Sequence, residues 1–318
     1  MLKELHISNY RLFDDLTIPE LGQVNLIAGK NNTGKTALLE ALRIWAAEGD
    51  TTVINYVIAQ RGQFNPGWGE SYESLFTNHR IVSQQTEEPL SLIIKDLTIQ
   101  RHKPSLSRSY CELFLKHKRV DPNLNPNAPA NNPNDRSVFV PFSEKSHFPL
   151  QDFWTKIVLT PLEDDVLDIL KIVEPRLRRI DVNEENSKVL LEGDSKPIPL
   201  KSLGEGMSRM LWLAVALVSA KESKLLLIDE FEAGLHHSVQ ETLWEKVFQY
   251  AKEWDIQVFV TTHSMDTVQS FHEVADQPEN LGLGKYFRLQ RNQNNQIEAV
   301  SYSEEELATA LEFELETR

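Results

Sequence analysis

The order of apolar and polar positions predicts buried strands that alternate with helices. A mostly apolar run at 24–28 predicts a buried strand, and the apolar spacing of 37–45 predicts a helix directly after it. Two more apolar runs, at 224–228 and 256–260, end in polar residues and predict two further buried strands. A long apolar helix is predicted from 211 to about 220. Buried strands separated by helices favour an α/β fold with a parallel sheet.

The middle of the chain follows a different pattern. Residues 93–99 and 110–115 are rich in β-prone side chains and predict strands of an antiparallel side sheet. Prolines and asparagines crowd 121–135, which predicts a mobile loop because so few apolar side chains cannot offset the entropy of ordering it. Residues 150–177 return to helical apolar spacing and predict a helical lobe.

The two ends of the chain predict additional elements. Residues 5–10 and 16–18 are expected to be strands, and 286–302 is expected to form a hairpin. Ser303 and Glu306 have the spacing of a capping box, which predicts that a helix begins there.

Composition narrows the class of protein. The 318 residues are 41% hydrophobic and 25% charged, which is ordinary for a globular protein with a sizeable core. No apolar run approaches the ~20 residues that would span a bilayer, and the N-terminus lacks the pattern of a signal peptide. The single cysteine, Cys111, excludes an intrachain disulfide and fits a reducing compartment. We therefore expect a cytoplasmic protein that does not contact a membrane.

The net charge of −14 argues against a surface covered by nucleic acid. Two local basic patches remain, one over 101–119 and one formed by Arg176, Arg178 and Arg179. A solvated face is the better interpretation of either patch by itself. DNA binding stays open as a local property of the surface.

Residues 29–36 have the form G-x-x-x-x-G-K-[ST] and lie between a predicted strand and a predicted helix. Glycines let successive backbone N–H groups point at anionic oxygens, and the helix N-terminus adds its positive dipole end. Lys35 is expected to reach the β- and γ-phosphates of a nucleotide, and the Thr36 hydroxyl to ligate Mg²⁺. This segment, the phosphate loop, predicts that the chain binds a nucleoside triphosphate.

Polar residues follow the two later apolar strands. The carboxyl ends of parallel strands face the ligand crevice of an α/β sheet. We expect Asp229 to hold Mg²⁺, directly or through water, and Glu230 to polarise the attacking water. His263 follows the next strand, where a group that senses the γ-phosphate would have to lie.

Residues 202–206, Ser-Leu-Gly-Glu-Gly, open the long apolar helix and form what we call the signature loop. Glycines at a helix start predict a second anion-binding N-terminus. Two helix N-termini that both bind phosphates need two separate faces of nucleotide to contact. We therefore expect a homodimer in which each subunit lends this loop to its partner's nucleotide.

In this order, the motifs resemble the ABC-type ATPase heads of SMC, RecF-like and OLD-family proteins, and most closely the AAA_15/AAA_21 group. The resemblance extends over 1–48 and 160–275 and is thin between them. It implies a P-loop NTPase fold, hydrolysis of ATP with Mg²⁺, and a dimer that closes through the ATP sites. Residues 232–236 resemble the turn that lies at the dimer seam of these heads.

Motif and resemblance together assign roles to individual residues. Glu230, Lys35 and His263 are expected to be catalytic, and Thr36 and Asp229 are expected to bind the metal ion. The residues expected at the nucleotide are Arg11, Gly29, Asn31, Asn32, Thr33, Gly34, Lys35, Thr36, Ala37, Ser202, Gly204, Glu205 and Gly206.

Two elements of these heads are missing from the pattern. A glutamine usually ligates Mg²⁺ in them, and Gln151, followed by Gln84 and Gln85, is a candidate outside any recognisable motif. OLD-family proteins also carry a Toprim nuclease domain after the head, for which the residues after 275 leave no room. Nuclease activity is therefore not expected of this chain.

We expect a single head over 1–318. Its nucleotide-binding core would comprise 1–62 and 180–318, interrupted by a variable β insertion over 63–149 and a helical lobe over 150–179.

The leading functional hypothesis is an ATPase that dimerises on ATP and drives or gates a partner effector. By resemblance, such heads are often encoded beside a separate nuclease or toxin in phage-defence loci. The alternative is a RecF-like DNA-binding repair ATPase that contacts DNA through 101–119. A transporter subunit is disfavoured because the signature loop departs from the transporter form Leu-Ser-Gly-Gly-Gln. No motif distinguishes ATP from GTP.

Overall fold

A computed structural model gives the fold of the chain. It describes residues 1–61, 74–77, 90–102, 112–115, 118–120, 135–142, 148–183 and 186–313. Within these ranges the strands are β1 (Leu5–Tyr10), β2 (Phe13–Ile18), β3 (Val24–Gly29), β4 (Leu90–Ile94), β5 (Leu97–His102), β6 (Glu112–Leu115), β7 (Lys118–Val120), β8 (Val138–Val140), β9 (Leu177–Asp181), β10 (Lys188–Leu191), β11 (Ile198–Pro199), β12 (Leu225–Ile228), β13 (Gln257–Thr262), β14 (Gly284–Arg291) and β15 (Ile297–Tyr302). The α-helices are α1 (Lys35–Ala46), α2 (Thr51–Gln60), α3 (Leu150–Ile157), α4 (Leu162–Leu170), α5 (Glu205–Ser223), α6 (Gln240–Trp254), α7 (Met265–Ala275) and α8 (Glu304–Glu312).

A largely parallel sheet forms the centre of the described structure. Its strands lie in the order β15-β14-β3-β13-β12-β8. All neighbouring pairs from β8 to β14 are parallel, and β15 runs antiparallel to β14 at the edge. The register pairs Ile228 with Val260 and Thr262 with Ala28, so the carboxyl ends of β12, β13 and β3 lie at the same edge of the sheet. The predicted α/β class is confirmed.

The antiparallel side sheet has the order β2-β1-β4-β5-β6-β7. The single strand predicted over 93–99 is wrong, because Ile94 pairs with Leu97 and the segment is a hairpin. Its turn contains Lys95 and Asp96, with Lys95 at a φ of 55°. A left-handed turn residue is usually announced by Gly or Asn. Lys95 is neither, so the pattern concealed the turn.

The structure divides the chain differently from the expected segments. Val138–Val140 falls within the expected insertion 63–149, yet it pairs in parallel with β12 in the central sheet. Conversely, β1 and β2 fall within the expected core 1–62 but belong to the side sheet. Strand pairing brings distant segments together, which a segment-by-segment division cannot represent. Apart from Asp135, the expected mobile loop 121–135 lies outside the described residues.

Alternate residues of the parallel strands pack on opposite faces of the central sheet. Leu226 and Ile228 pack in one hydrophobic cluster with α5, α6 and α7. Leu225 and Leu227 pack in a second cluster with α1 and the side sheet. In the cluster with α5, contacts extend to α3 and α4, the predicted helical lobe, which explains why α5 is apolar on most sides. None of the described helices is long and apolar enough to cross a bilayer.

The predictions for the end of the chain are confirmed. Tyr286 pairs with Tyr302 in the hairpin of β14 and β15. The Ser303 hydroxyl accepts a hydrogen bond from the Glu306 N–H at 3.2 Å, and the Ser303 N–H donates to the Glu306 carboxylate at 2.9 Å. This reciprocal capping box begins α8.

An aromatic cluster beneath the carboxyl end of β12 generates a stability prediction. Trp244 is fully buried, stacks on Phe231 at a centroid distance of 4.2 Å and meets Phe271 edge-on at 5.1 Å. Trp244→Ala should lower the free energy of unfolding by about 3–5 kcal/mol, because it leaves a cavity among rings that cannot collapse into it. Urea unfolding followed by circular dichroism measures the loss. Leu281→Ala is the control, since Leu281 is 54% exposed, and a Trp244→Ala loss as small as the control's would contradict the prediction.

Candidate nucleotide-binding site

The phosphate loop lies between β3 and α1 in a conformation that requires its glycines. Gly34 has a φ of 94°, and a Cβ there would lie 2.8 Å from the Phe13 ring. Gly29 has a φ of 155°, and a Cβ there would lie 2.6 Å from the Leu289 carbonyl oxygen. Any side chain at either position would be strained by φ and blocked by a neighbour. Asn32, at a φ of 64°, also takes the left-handed conformation.

The Lys35 ammonium closes the loop on itself. It donates to the carbonyl oxygen of Gly29 at 2.6 Å and to that of Lys30 at 3.2 Å. Burial lowers the pKa of Lys35, while the charges of Glu230 and Asp229 act in the opposite direction. The cation is therefore held at the loop by neutral acceptors that an anionic phosphate oxygen can replace.

The Asp229 carboxylate joins three segments at the carboxyl end of β12. It accepts hydrogen bonds from the Thr36 hydroxyl at 3.0 and 3.2 Å and from the Thr261 hydroxyl at 2.7 Å. Asp229 is only 2% exposed. Burial raises its pKa, and the two threonine hydrogen bonds and the charges of Lys35 and Arg209 oppose that shift. The sequence-predicted metal ligands, Thr36 and Asp229, are thus brought into direct contact.

Glu230 is presented toward solvent by an unusual backbone conformation. Its φ is 51°, in the left-handed region that a residue with a Cβ seldom adopts. Its N–H donates to the Thr261 hydroxyl at 2.9 Å. Burial raises the pKa of the partly exposed Glu230 carboxyl, and the neighbouring Asp229 charge adds to this. A carboxyl with a raised pKa beside a cavity suits a general base.

Glu232 positions the His263 ring beside Glu230. The Glu232 carboxylate accepts from the Thr262 hydroxyl at 2.8 Å and from the His263 N–H at 2.9 Å. The same carboxylate lies 3.0 Å from His263 Nδ1, whereas the Glu230 carboxylate lies 3.8 Å from that atom. The sequence placed Glu232 only in a turn after the catalytic acid. Only the structure shows that Glu232 contacts β13 and the residue after it.

Arg209 is a buried residue that contacts the backbone of both acids of the site and that sequence reasoning missed. It lies on α5, is 7% exposed, and donates to the carbonyl oxygens of Asp229 at 2.8 Å and Glu230 at 3.0 Å. A further hydrogen bond joins it to the Pro141 carbonyl oxygen. Burial lowers the pKa of Arg209 to about 10, so the guanidinium stays charged at neutral pH. The available sequence signal was an arginine at the start of a helix that was predicted to be apolar.

Arg11 forms the opposite side of the site. Arg11 Nε lies 3.0 Å from the Glu40 carboxylate, which also pairs with Arg61 at 2.8 Å. Glu40 is on α1, so this cluster fixes Arg11 to the helix that follows the phosphate loop. One carboxylate between two arginines leaves net positive charge at the rim of the cavity.

A cavity of about 630 Å³ lies over the phosphate loop, within the size range of small-molecule sites. It is lined by Arg11, Leu12, Asn31, Asn32, Thr33, Gly34, Lys35, Thr36, Ala37, Arg61, Ser74, Phe76 and Glu230. Among the other expected site residues, Asp229 and Gly29 lie behind this lining, and His263 lies beside Glu230. Gln151, on α3, does not line the cavity, and Gln84 and Gln85 lie outside the described residues.

The signature loop lies apart from the cavity. Ser202, Gly204 and Glu205 are exposed, and none of the four expected nucleotide contacts in this loop lines the cavity of its own chain. A Cβ on Gly206 would lie 2.7 Å from the Gly234 carbonyl oxygen, so the loop packs on the turn after Glu230.

Comparisons with known proteins agree with this geometry. The family model described as "AAA domain, putative AbiEii toxin, Type IV TA system" matches residues 117–268, and the one described as "AAA ATPase domain" matches residues 1–65. An ATP/GTP phosphatase of Helicobacter pylori is 23% identical over 357 residues, covering 96% of this chain and 96% of that protein. The uncharacterised protein MJECL10 of Methanocaldococcus jannaschii is 30% identical over 124 residues, covering 36% of this chain and 54% of that protein.

Solved structures show the same fold. An SMC head bound to the C-winged helix domain of ScpA superposes with a TM-score of 0.57 at 13% identity, covering 95% of this chain and 97% of that one. An SMC head bound to the C-terminal domain of ScpA, derived from Pyrococcus furiosus, superposes with a TM-score of 0.54 at 12% identity, covering 98% of each chain. These structures show that the chain has the P-loop NTPase fold of an ABC-type head. The two AAA models and the phosphatase relative agree with the site around the phosphate loop, and the chain is an ATPase.

Proposed function

We propose that this ATPase head binds ATP with Mg²⁺ and dimerises on it, each protomer presenting its signature loop to the partner's nucleotide. The observation that carries the proposal is the separation of the exposed signature loop from the cavity of its own chain. Gly204 has a φ of 98°, and a Cβ there would meet nothing within 4 Å. The first backbone N–H groups of α5, from the exposed Glu205 onward, thus lie at an open surface, where a second subunit's nucleotide can reach them.

The residues present fit a magnesium ion. Mg²⁺ prefers oxygen ligands, and the Thr36 hydroxyl and the Asp229 carboxylate meet at 3.0 Å beside the phosphate loop. The Asp229 carboxylate is 2% exposed, and burial raises its pKa because its charged form loses hydration there. A divalent cation held there would favour the charged carboxylate and neutralise the charge of the phosphates.

The protein groups divide the work of hydrolysis. Lys35 exchanges the carbonyl oxygens of Gly29 and Lys30 for phosphate oxygens and neutralises their charge. Glu230, at the edge of the cavity, orients and polarises the attacking water. His263 is held by Glu232 next to that carboxylate, and we expect it to contact the terminal phosphate from there. Such a site acts mainly through positioning and electrostatics.

The dimer would serve as a switch for a separate effector, and we favour a nuclease or toxin in a phage-defence system. Two observations support a protein partner. One matched family carries a toxin in its description, and the SMC heads of similar fold were solved with domains of ScpA. The net charge of −14 makes the RecF-like alternative less favourable. A cytoplasmic location stays a prediction from the single cysteine.

Lys35→Ala tests nucleotide binding. The variant should bind ATP at least about 100-fold more weakly, because it loses a buried, charge-assisted contact with the phosphates. Isothermal titration calorimetry with ATP and Mg²⁺ measures the change. Lys171→Ala is the matched control, since Lys171 is half-exposed and pairs only with Asp168 among the described residues. Equal ATP affinity in the two variants would contradict the assigned role of Lys35.

Glu230→Gln tests the link between hydrolysis and assembly. The amide cannot accept a proton from water, so turnover should fall by about 100-fold or more while ATP still binds. The ATP-bound dimer should then accumulate, and light scattering should show twice the 36.5 kDa of the chain only when ATP is added. Glu245→Gln, at an exposed position on α6, should leave turnover and mass unchanged.

A second substitution decides whether the signature loop forms the interface. Ser202→Arg places a bulky cation at an exposed position, so in the Glu230→Gln background it should prevent the doubling in mass. The ATP affinity of the monomer should stay within about 3-fold, since Ser202 does not line the cavity of its own chain. A dimer that survives Ser202→Arg would argue for a different interface.

Added DNA separates the two functional hypotheses. We expect double-stranded DNA to leave the ATPase rate unchanged, because the chain is strongly acidic. Steady-state rates at two salt concentrations provide the measurement. Stimulation that disappears steeply with salt would favour the RecF-like alternative over an effector protein.

A further inference from the structure

A single buried guanidinium determines where the two acids of the site lie. Arg209 Nη2 donates to the carbonyl oxygens of Asp229 at 2.8 Å and Glu230 at 3.0 Å, and Nη1 donates to that of Pro141. Only arginine among the cationic residues has several donors in a planar, rigid fork. One side chain therefore joins the residues after β12 to the segment after β8.

The backbone at this point needs such support. Glu230 has a φ of 51°, a left-handed conformation that persists in a residue with a Cβ only where the surroundings impose it. The Glu230 N–H is held by the Thr261 hydroxyl on one side, and the Glu230 carbonyl is held by Arg209 on the other. The Asp229 N–H donates to the Val140 carbonyl oxygen at 2.9 Å. Arg209 is the only described side chain that holds both of the consecutive carbonyls.

The position of Arg209 is itself fixed by close packing. Gly206, three residues earlier on α5, leaves no room for a Cβ against the Gly234 carbonyl oxygen. A Cβ on Gly234 would in turn lie 3.6 Å from Arg209 Cβ. The first turns of α5 and the turn after Glu230 are therefore packed together, which fixes the backbone from which the Arg209 side chain extends.

We propose that Arg209 is a positioning residue for ATP hydrolysis, which holds the Asp229 and Glu230 backbone so that the Glu230 carboxylate faces the nucleotide cavity. The proposal rests on the role of Glu230 given under the proposed function. Arg209 does not line the cavity, and it acts through the backbone of Glu230. Its loss should therefore reduce the rate of hydrolysis and leave nucleotide binding intact.

Arg209→Lys keeps the charge and removes the fork. We expect kcat to fall on the order of 100-fold, because a small displacement of a catalytic group has effects of this size. The KM for ATP and the affinity for a non-hydrolysable ATP analogue should change by less than about 3-fold. Arg43→Lys is the matched control: Arg43 is another buried arginine, paired with Asp135 at 2.7 Å, and does not line the nucleotide cavity. Its kcat should stay within about 3-fold of the parent.

A double-mutant cycle distinguishes positioning from general destabilisation. In the Glu230→Gln background, Arg209→Lys should cause no further loss of single-turnover rate, because it acts through Glu230. A further loss as large as in the parent would overturn the proposal, as would a parental kcat in the Arg209→Lys protein. If Arg209→Lys fails to fold by circular dichroism, Arg209→Gln, which retains two donors without the charge, takes its place in the same cycle.

The role of Glu230 and the positioning role of Arg209 are overturned by different outcomes. Parental turnover in the Glu230→Gln protein would overturn the role of Glu230 and this proposal with it. An inactive Glu230→Gln protein beside a fully active Arg209→Lys protein would overturn the positioning role alone.

Discussion

The buried carboxylate of Asp229 is the interaction on which the rest of the site depends. It joins α1 through Thr36 and β13 through Thr261, while its own residue follows β12. A buried carboxylate must be satisfied by hydrogen bonds or charge, since leaving it unpaired is costly. Moving any one of the three segments would break a hydrogen bond to this carboxylate. The phosphate loop, the acid-bearing strand end and the neighbouring strand are therefore held in one arrangement.

The same carboxylate is linked to a larger network of polar groups. Arg209 neutralises part of its charge from the side of α5 while holding the Glu230 carbonyl, and Glu232 fixes His263 on the adjacent strand. A polar network at the carboxyl edge of a parallel sheet both holds the strand ends together and lies beside the ligand, because ligands bind where these strand ends converge. Arg209 thus had no role assigned from the sequence motifs, and Glu232 was expected only as part of the turn after Glu230.

The nucleotide cavity and the signature loop are two separate surfaces of one chain. The cavity contains the phosphate loop and the cations Arg11 and Lys35, which are suited to bind phosphates. The signature loop begins a helix that packs on the turn after Glu230 but is exposed at Ser202 and Glu205. The chain therefore has one binding surface in the cavity and a second, exposed surface at the signature loop. This asymmetry agrees with a site that is completed between subunits.

The sequence by itself determined the phosphate loop, the buried strands before it and at 225–228, and the acids that follow, because apolar period and glycine requirements are local properties. It did not reveal the turn at Lys95, whose left-handed φ carries no Gly or Asn signal. It also could not place Val138–Val140 beside β12, or Arg209 against the Glu230 carbonyl. Strand order and buried hydrogen bonds between distant segments depend on which surfaces meet. That is decided only when the whole chain packs.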